Sequence, residues 1–307
     1  MTIESERRPP AQGEFAPAAP RGATLAGIAW IALGVTCFAV IDAIAKLLSE
    51  SMGPVQITWG RYAFFLLPLL LLTPVRYWRG VVTGPRLGLN LVRASLPPLA
   101  SATAVLGLAI TPLDLFTAVS FAAPLLVTAF SGPLLGERPG IRRWAAVIVG
   151  FVGILIIARP WDATFSAGVA LGLLLATFFA FYQLMTRKLA ADGEPRAMLL
   201  QIAVIGFVLT TVALPFDWTP IDLEGWAWLI ASGLFHAMSH YGILRAFTLA
   251  PASTLAPFIY VQIVGAIALG YILFGDLPDW TTIGGTAIVI ASGIYIVNRE
   301  RIRARGG

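Results

Sequence analysis

Long apolar stretches, separated by short polar segments, run through the chain from about residue 24 to residue 299. Each stretch is continuous over a whole helix, whereas the strands of an outer-membrane barrel alternate apolar and polar residues. A helix that crosses the hydrocarbon core of a bilayer needs about 20 residues. The pattern predicts an all-α integral membrane protein with ten transmembrane helices, near residues 25–48, 55–75, 92–110, 114–135, 142–159, 166–186, 197–215, 226–246, 251–274 and 280–298.

Composition supports this class. Of 307 residues, 58% are apolar and 12% are charged, whereas about 25% of residues in a soluble domain are charged. The partners we expect are a lipid bilayer and a small-molecule substrate, and no nucleic acid. Cys37 is the only cysteine, so we expect no disulfide, and no cofactor motif is evident. Residues 1–23 are rich in proline and charge, which predicts a disordered cytoplasmic N-terminal tail.

Basic residues fall almost entirely on one side of this topology. Of the 21 lysines and arginines, eighteen lie in the segments that become cytoplasmic when the N-terminus is inside, and these include Arg93 and Arg245. Lys46 and Arg159 are the two outer residues, and Arg61 lies within a helix. The positive-inside rule therefore predicts that both termini, including a basic tail at 300–307, lie in the cytoplasm. The predicted location of the protein is the inner membrane.

The two halves of the chain resemble each other. At an offset of 141, Phe38, Lys46 and Pro54 align with Phe179, Arg187 and Pro195. At an offset of 139, Pro112, Gly136-Glu137 and Pro139 align with Pro251, Gly275-Asp276 and Pro278. The repeats are 24–160 and 161–299, with five helices each, so the second crosses the membrane in the opposite direction. Inverted repeats are typical of secondary transporters, and a duplicated structural protein is the alternative.

Two segments carry a family resemblance: GERP at 136–139, and RAFTLAPASTLAPFIYVQIVGAIALGYILFGDLPD at 245–279. With ten helices in two repeats, they resemble the EamA branch of the drug/metabolite transporter superfamily. The resemblance implies that helices 1–4 and 6–9 line a central cavity and that helices 5 and 10 lie at the periphery. It also implies transport of metabolites, either as an exporter of amino acids and metabolites or as an uptake carrier for riboflavin or S-adenosylmethionine.

Few ionisable residues lie inside the predicted helices, where each charge is costly. Asp42 on helix 1 aligns with the neutral Gln183 on helix 6, and Arg61 on helix 2 lies at a depth similar to that of Asp42. Asp42 and Arg61 are candidates to bind a charged group of the substrate or to exchange a proton. The alternative is a structural ion pair, of Asp42 with either Arg61 or Lys46.

His236 and His240 share one face of helix 8. Two histidines are too few ligands for a catalytic metal, and HAMSH lacks the glutamate of a metalloprotease motif, so we expect no metal. Neutral histidines can hydrogen-bond a substrate or titrate in a coupling step, and the alternative is hydrogen bonding between helices.

Further candidates come from helix breaks and aromatic residues. Pro257 precedes Tyr260 and Gln262 on helix 9, and Pro97-Pro98 is expected to break helix 3 similarly. Such breaks would free carbonyl groups to line a cavity, and the alternative is that they are ordinary helix kinks. Trp59, Phe121, Tyr182 and Tyr241 offer stacking surfaces for a planar ligand, or serve only as packing residues.

The chemistry favours a secondary transporter that works by alternating access and is driven by a proton or solute gradient. An integral-membrane enzyme is the alternative, with only a faint pairing of Ser232 and His236, and a channel would need a selectivity filter that is not evident. Glu137 and Asp276 are interpreted as caps of turns or of the following helices, with Glu137 against Arg142 or Arg143. Small residues on helices 5 and 10, such as Gly153 and Gly285, permit close packing within the fold or in a homodimer.

Overall fold

A computed structural model describes residues 21–83, 86–136, 140–159, 167–189, 194–250 and 252–305. Every regular element among them is helical. The α-helices are α1 (Arg21–Leu48), α2 (Pro54–Leu72), α3 (Arg79–Val82), α4 (Leu87–Leu108), α5 (Leu113–Ser120), α6 (Ala123–Leu135), α7 (Ile141–Ala158), α8 (Ala167–Leu189), α9 (Pro195–Ala213), α10 (Leu223–Leu249), α11 (Ala252–Leu255), α12 (Val261–Leu269) and α13 (Trp280–Arg305).

Eight described segments are long and apolar enough to cross a membrane by length and composition, and a shorter apolar helix covers Trp280–Ile296. The protein is therefore an all-α integral membrane protein. The eight segments are Ala23–Leu48, Pro54–Leu72, Leu87–Leu108, Leu113–Leu135, Ile141–Ala158, Ala167–Leu189, Arg196–Phe216 and Pro257–Phe274. The helix α10, predicted as a span, is not among them because polar residues lower its hydropathy.

Helix contacts occur in matching pairs across the two halves of the chain. In these pairs, α1, α2 and α4 of the first half correspond to α8, α9 and α10 of the second half. The helix α1 packs against α10 as α8 packs against α4, and α2 packs against α10 as α9 packs against α4. The contact of α1 with α12 likewise corresponds to that of α8 with α6, and α7 packs against α13. The buried apolar core forms between these helices, with one cluster around Val119 and Val289 and another around Ile57 and Leu229.

Several predicted helix limits were wrong. The helix α4 begins at Leu87 rather than near residue 92, and it continues unbroken through Pro97 and Pro98. By contrast, the limits predicted at 114–135 are confirmed, because Leu113–Leu135 is one candidate span, which consists of α5 and α6 with a turn at Phe121 and Ala122 between them. The helix α1 begins at Arg21, inside the predicted tail, and residues 1–20 lie outside the described part.

The break expected at Pro257 is present. A 3₁₀-helix covers Ala256–Tyr260, the short helix α12 follows, and a π-helix at Gly270–Phe274 ends the element. Proline removes one backbone donor and disfavours a regular helix in the residue before it. The segment from Ala256 to Phe274 therefore has three successive helical geometries where the sequence predicted one span.

Small residues let α7 and α13 approach closely. A Cβ atom added at Gly285 would lie 2.7 Å from the carbonyl oxygen of Gly153, and one added at Gly150 would lie 2.6 Å from the hydroxyl of Ser292. The glycines therefore serve packing within one chain. Gly284 differs, because an added Cβ there would meet nothing within 4 Å.

Candidate functional site

Asp42 and Gln262 join the two halves of the chain within the helices. The amide nitrogen Nε2 of Gln262, at the start of α12, donates a hydrogen bond of 3.4 Å to Oδ2 of Asp42 on α1. Asp42 lies six residues before the end of α1 at Leu48, which is about 9 Å along the helix axis. Both side chains are only half-buried, so these polar groups keep some accessible surface at that depth.

Arg61 lies close enough to Asp42 for their charges to interact, yet the two side chains form no direct ion pair among the described residues. The guanidinium Nη1 of Arg61 instead donates to the hydroxyl of Ser101 at 2.8 Å, and Nη2 donates to the carbonyl of Ile41 at 3.4 Å. Arg61 is 4% exposed, and its Nε has no described partner. The site therefore holds one carboxylate and one guanidinium that do not neutralise each other by contact.

The ion pair of Asp42 with Lys46, one of the alternatives from sequence, was wrong. Lys46 Nζ lies 3.0 Å from Oδ2 of Asp276 and also donates to the carbonyl of Thr111 at 3.2 Å. The ammonium group lies over the ring of Phe274 as well. Asp276 was interpreted as a turn cap, and the structure gives its carboxylate this basic partner from the other half of the chain.

The histidine pair lies in an aromatic cage. The rings of His236 and His240 are 4.7 Å apart between centroids, and Phe65 contacts both, at 4.8 and 5.2 Å. Phe38, one helical turn before Asp42 on α1, also contacts both histidines. Tyr62, next to Arg61, completes the cage against His236. The cage therefore adjoins the Asp42 and Arg61 pair.

Polar groups on the buried face of α10 lack described partners. Both ring nitrogens of His236 and the hydroxyls of Ser232 and Ser239 are buried without a hydrogen bond among the described residues. A buried polar group without a partner is costly and calls for an explanation, such as a bound ligand or water. The buried face of α10 therefore holds hydrogen-bonding groups that the described residues do not use.

Phe121 and Tyr260 contact each other rather than Asp42. Their ring centroids are 5.2 Å apart, and Phe121 belongs to the buried apolar core. Trp59 lies near the start of α2 with Trp218 and Trp226, and its Nε1 donates to Thr211. Within the described ranges, no ring contact or hydrogen bond joins these three predicted residues to Asp42.

Tyr182 and Gln183 are half-buried on α8. Tyr182 lies under the guanidinium of Arg93, with the ring centroid 5.9 Å from Cζ. Tyr241 is 50% exposed and packs edge-on against Trp30, which lies three turns from Asp42 along α1. Tyr241 is therefore remote from the carboxylate.

Arg93 is the buried residue that the sequence analysis misplaced. It was assigned to a cytoplasmic segment, but it lies inside α4, fully buried. Its Nη2 donates to the carbonyl of Met198 at 3.0 Å and to Oε1 of Gln201 at 3.1 Å, and Gln201 donates to the carbonyls of Gly80 and Val81. Arg93 thus ties α4 to α9 and α3. The apolar residues around Asn90 were the signal that the helix begins earlier.

A cavity of about 360 Å³ lies at the end of the bundle that contains Asp276. Its polar lining residues are Asp114, Arg159, Asp276, Asp279 and Thr282. Arg159 forms an ion pair with Asp279 and donates to Thr281. No cluster of three or more histidine, cysteine or acidic residues suited to a metal ion occurs in the described ranges.

Comparison with known proteins identifies the family. The sequence model of the EamA-like transporter family matches the chain twice, at residues 25–159 and 166–299. The chain belongs to the EamA-like transporter family. The resemblance seen in GERP and in 245–279 is thereby confirmed, and each match covers one half of this EamA-like protein.

Relatives of this EamA-like chain are named as transporters of metabolites. It is 27% identical to the S-adenosylmethionine uptake transporter of Rickettsia prowazekii, over 90% of this chain and 94% of the relative. It is 29% identical to the riboflavin transporter of Vibrio cholerae, with 92% and 96% covered. It is 28% identical to the pseudopaline exporter CntI of Pseudomonas aeruginosa, with 90% and 97% covered. A metabolite transporter is therefore the function that its family and relatives support.

A solved crystal structure shares the fold of this EamA-like chain. The TM-score is 0.61 at 16% sequence identity, and the match covers 93% of this chain and 99% of the other. At that identity the likeness supports the helical arrangement and not the substrate.

Proposed function

We propose that this chain is a secondary transporter that exposes one site for a small organic metabolite alternately to the two sides of the membrane. The observation that carries the proposal is the hydrogen bond of Gln262 with Asp42, because it joins the two repeats at a half-buried polar position within the helices. In transporters with inverted repeats, the binding site lies between the repeats near the membrane midplane.

The two repeats, 24–160 and 161–299, are proposed to be inverted copies of five spans each. The matching helix contacts support this. The helix α1 packs against α10, and the equivalent helices of the other repeat, α8 and α4, pack against each other in the same way. Two nearly equivalent halves provide two nearly equivalent end states, which alternating access requires.

Ten spans require that α10 and α13 also cross the membrane. The 27 residues of α10 are enough to do so. Its polar residues Ser232, His236 and Ser239 are buried against other helices, while Leu234 and Met238 are exposed. Polar residues that face the bundle interior are compatible with a membrane span, so the low hydropathy of α10 reflects its role in the site.

The substrate is proposed to be a zwitterionic metabolite. The Asp42 carboxylate suits a cationic group, and Arg61, with its Nε unpartnered among the described residues, suits an anionic group. The aromatic cage around the histidines suits a planar ring. S-adenosylmethionine carries all three features, and its named uptake carrier is among the relatives. Transport of riboflavin, or export of an amino acid or metabolite, is the second candidate.

Counterflow in liposomes tests this proposal without knowledge of the coupling ion. Vesicles that contain the purified protein are preloaded with S-adenosylmethionine, riboflavin or an amino-acid mixture, and uptake of the labelled compound is followed. We expect accumulation of S-adenosylmethionine above that in protein-free vesicles. Recovery of the label in a chemically altered compound would favour a membrane enzyme instead. Verified insertion with no accumulation of any tested class would refute the proposed substrate range.

The proposed location is the inner membrane, with both termini in the cytoplasm. The distribution of basic residues along the sequence supports it, because eighteen of the 21 lie in segments that this orientation makes cytoplasmic or next to them. In this orientation, the end that contains Lys46 and Asp276 faces outward.

A further inference from the structure

Ser101 differs from the other hydroxyl residues of α4 in its hydrogen bond. Ser95 and Thr103 each donate to a carbonyl of their own helix, which is a common arrangement for hydroxyls in membrane spans. The Ser101 hydroxyl instead accepts a hydrogen bond of 2.8 Å from Nη1 of Arg61 on α2. Ser101 therefore fixes the position of a charged group that belongs to another helix.

Arg61 is held beside Asp42 by two hydrogen bonds that end on other groups. While Nη1 is bound to Ser101, Nη2 donates to the carbonyl of Ile41 at 3.4 Å, and Ile41 directly precedes Asp42 on α1. The guanidinium therefore lies next to α1 at the level of Asp42. Opposite charges at this depth attract each other more strongly than in water, yet among the described residues the two side chains form no ion pair. The Ser101 hydroxyl is the acceptor that takes Nη1 instead of the carboxylate.

We propose that Ser101 is a positioning residue that holds Arg61 apart from Asp42, so that both charges stay available to the two charged ends of the substrate. This inference rests on the proposed function, because it concerns the same site. Without the hydroxyl, Nη1 loses its acceptor at a buried position, where a donor without a partner is costly. Asp42 lies close enough to attract the guanidinium, and an internal ion pair then occupies both groups that the substrate needs.

Separation of the two charges in advance favours the binding of a zwitterion. A site that is competent in only a fraction of the molecules binds its ligand more weakly by that fraction. With Ser101 in place, no internal pair has to break before the substrate binds. The Nε of Arg61 has no partner among the described residues, and a guanidinium fixed through its other nitrogens is preorganised to bind a carboxylate. The Ser101 hydroxyl thus sets the affinity of the site without contact with the substrate.

A double-mutant cycle of thermal unfolding in detergent tests the positioning without any substrate. The four proteins are the wild type, Ser101→Ala, Asp42→Asn and the double variant. If loss of the hydroxyl lets Arg61 pair with Asp42, the carboxylate contributes more to stability in the Ser101→Ala background. We therefore expect Asp42→Asn to lower the unfolding midpoint by at least about 3 °C more in that background than in the wild type. Equal effects of Asp42→Asn in the two backgrounds would overturn the proposal.

Thr103→Val provides a matched control on the same helix. Thr103 and Ser101 are both 7% exposed, but the Thr103 hydroxyl binds its own helix. We expect the effects of Thr103→Val and Asp42→Asn on the midpoint to add, and a coupling equal to that of Ser101→Ala would overturn the proposal. Ser101→Cys replaces the oxygen with a weak acceptor of similar size. We expect it to show the coupling in the same direction, so the cycle can be measured even if Ser101→Ala does not fold.

Counterflow with labelled S-adenosylmethionine separates this inference from the proposed function. We expect Ser101→Ala to raise the concentration for half-maximal uptake at least about tenfold, with less than about a twofold change in maximal rate. Coupled midpoints in a protein that accumulates none of the tested metabolites would support the positioning of Arg61 and refute the substrate range. Additive midpoints with normal half-saturation would refute the role of Ser101 and leave the transport proposal intact. Coupled midpoints with unchanged half-saturation would overturn its role in substrate binding.

Discussion

At the scale of single residues, Asp42 is an acidic side chain within a transmembrane helix, and its hydrogen-bond partner comes from the other repeat. An ionised carboxylate inside a membrane is retained only where partners or a wet cavity compensate for its cost. The contact from Gln262 supplies a weak hydrogen bond of 3.4 Å, and Arg61 is directed to Ser101. The Asp42 carboxylate can thus still bind a further, positively charged group.

Asp42→Asn is therefore expected to reduce counterflow at least about tenfold. The amide keeps the size of the side chain but removes the charge that attracts a cationic group, and insertion into the membrane is expected to stay normal. The measurement is the initial rate in liposomes at matched protein content. Glu224→Gln is the matched control, because Glu224 is exposed and, within the described ranges, its carboxylate accepts a side-chain hydrogen bond from Trp228 alone. Wild-type rates in Asp42→Asn would contradict a role for its charge.

Individual polar residues could be predicted from the sequence, but their partners could not. Asp42 was selected because ionisable groups are rare in apolar helices, and Gln262 because it follows the helix break at Pro257. Their contact depends on how α1 packs against α12, which no local pattern contains. The same reason explains the error at Lys46: Asp42 is one turn away in sequence, whereas Asp276 is 230 residues away and nearer in space.

At the scale of elements, close helix packing depends on individual glycines. Gly285→Ala is expected to destabilise the protein by roughly 1–3 kcal/mol, because the new methyl group would lie 2.7 Å from the Gly153 carbonyl oxygen. Thermal unfolding in detergent would show a lower midpoint. The adjacent Gly284→Ala serves as the control, since nothing lies within 4 Å of its added Cβ. Equal midpoints for the two variants would argue against close packing of α7 and α13.

The start of α2 is capped by a residue from the second repeat. Oδ2 of Asp217 accepts hydrogen bonds from the backbone nitrogens of Val55 and Gln56, at 2.7 and 3.0 Å. Asp217→Ala leaves these donors without a partner and is expected to cost about 0.5–2 kcal/mol, as for other helix caps. Differential scanning fluorimetry would measure the loss. Asp217→Asn, which keeps an acceptor oxygen, is expected to recover part of it, and an unchanged midpoint for both variants would refute the cap.

The type of each long element followed from its apolar length, whereas its ends and interruptions depended on tertiary contacts. Pro97 and Pro98 were expected to break a helix, yet α4 continues through them. Pro257 was expected to do the same, and there the geometry does change. Identical residue types thus gave different outcomes, because neighbouring helices can hold a proline-containing segment helical.

At the scale of the whole molecule, the repeat and the family were accessible from sequence because they depend on spacing over many residues. The number of spans does not follow from hydropathy alone, because α10 is long enough to be a span but has a polar buried face. An error over one span would reverse the orientation of every later segment. Topology is thus the property on which the side of each tail and of each loop depends.

Four single-cysteine variants in a Cys37→Ala background test the ten-span topology. With the termini inside, we expect Pro220→Cys and Leu277→Cys to react with an impermeant maleimide in right-side-out vesicles. We expect Thr248→Cys and Gly307→Cys to react only in inside-out vesicles. Pro220 and Thr248 flank most of α10, and Leu277 and Gly307 flank α13. Reaction of either flanking pair from the same side would mean that the helix between them does not cross the membrane.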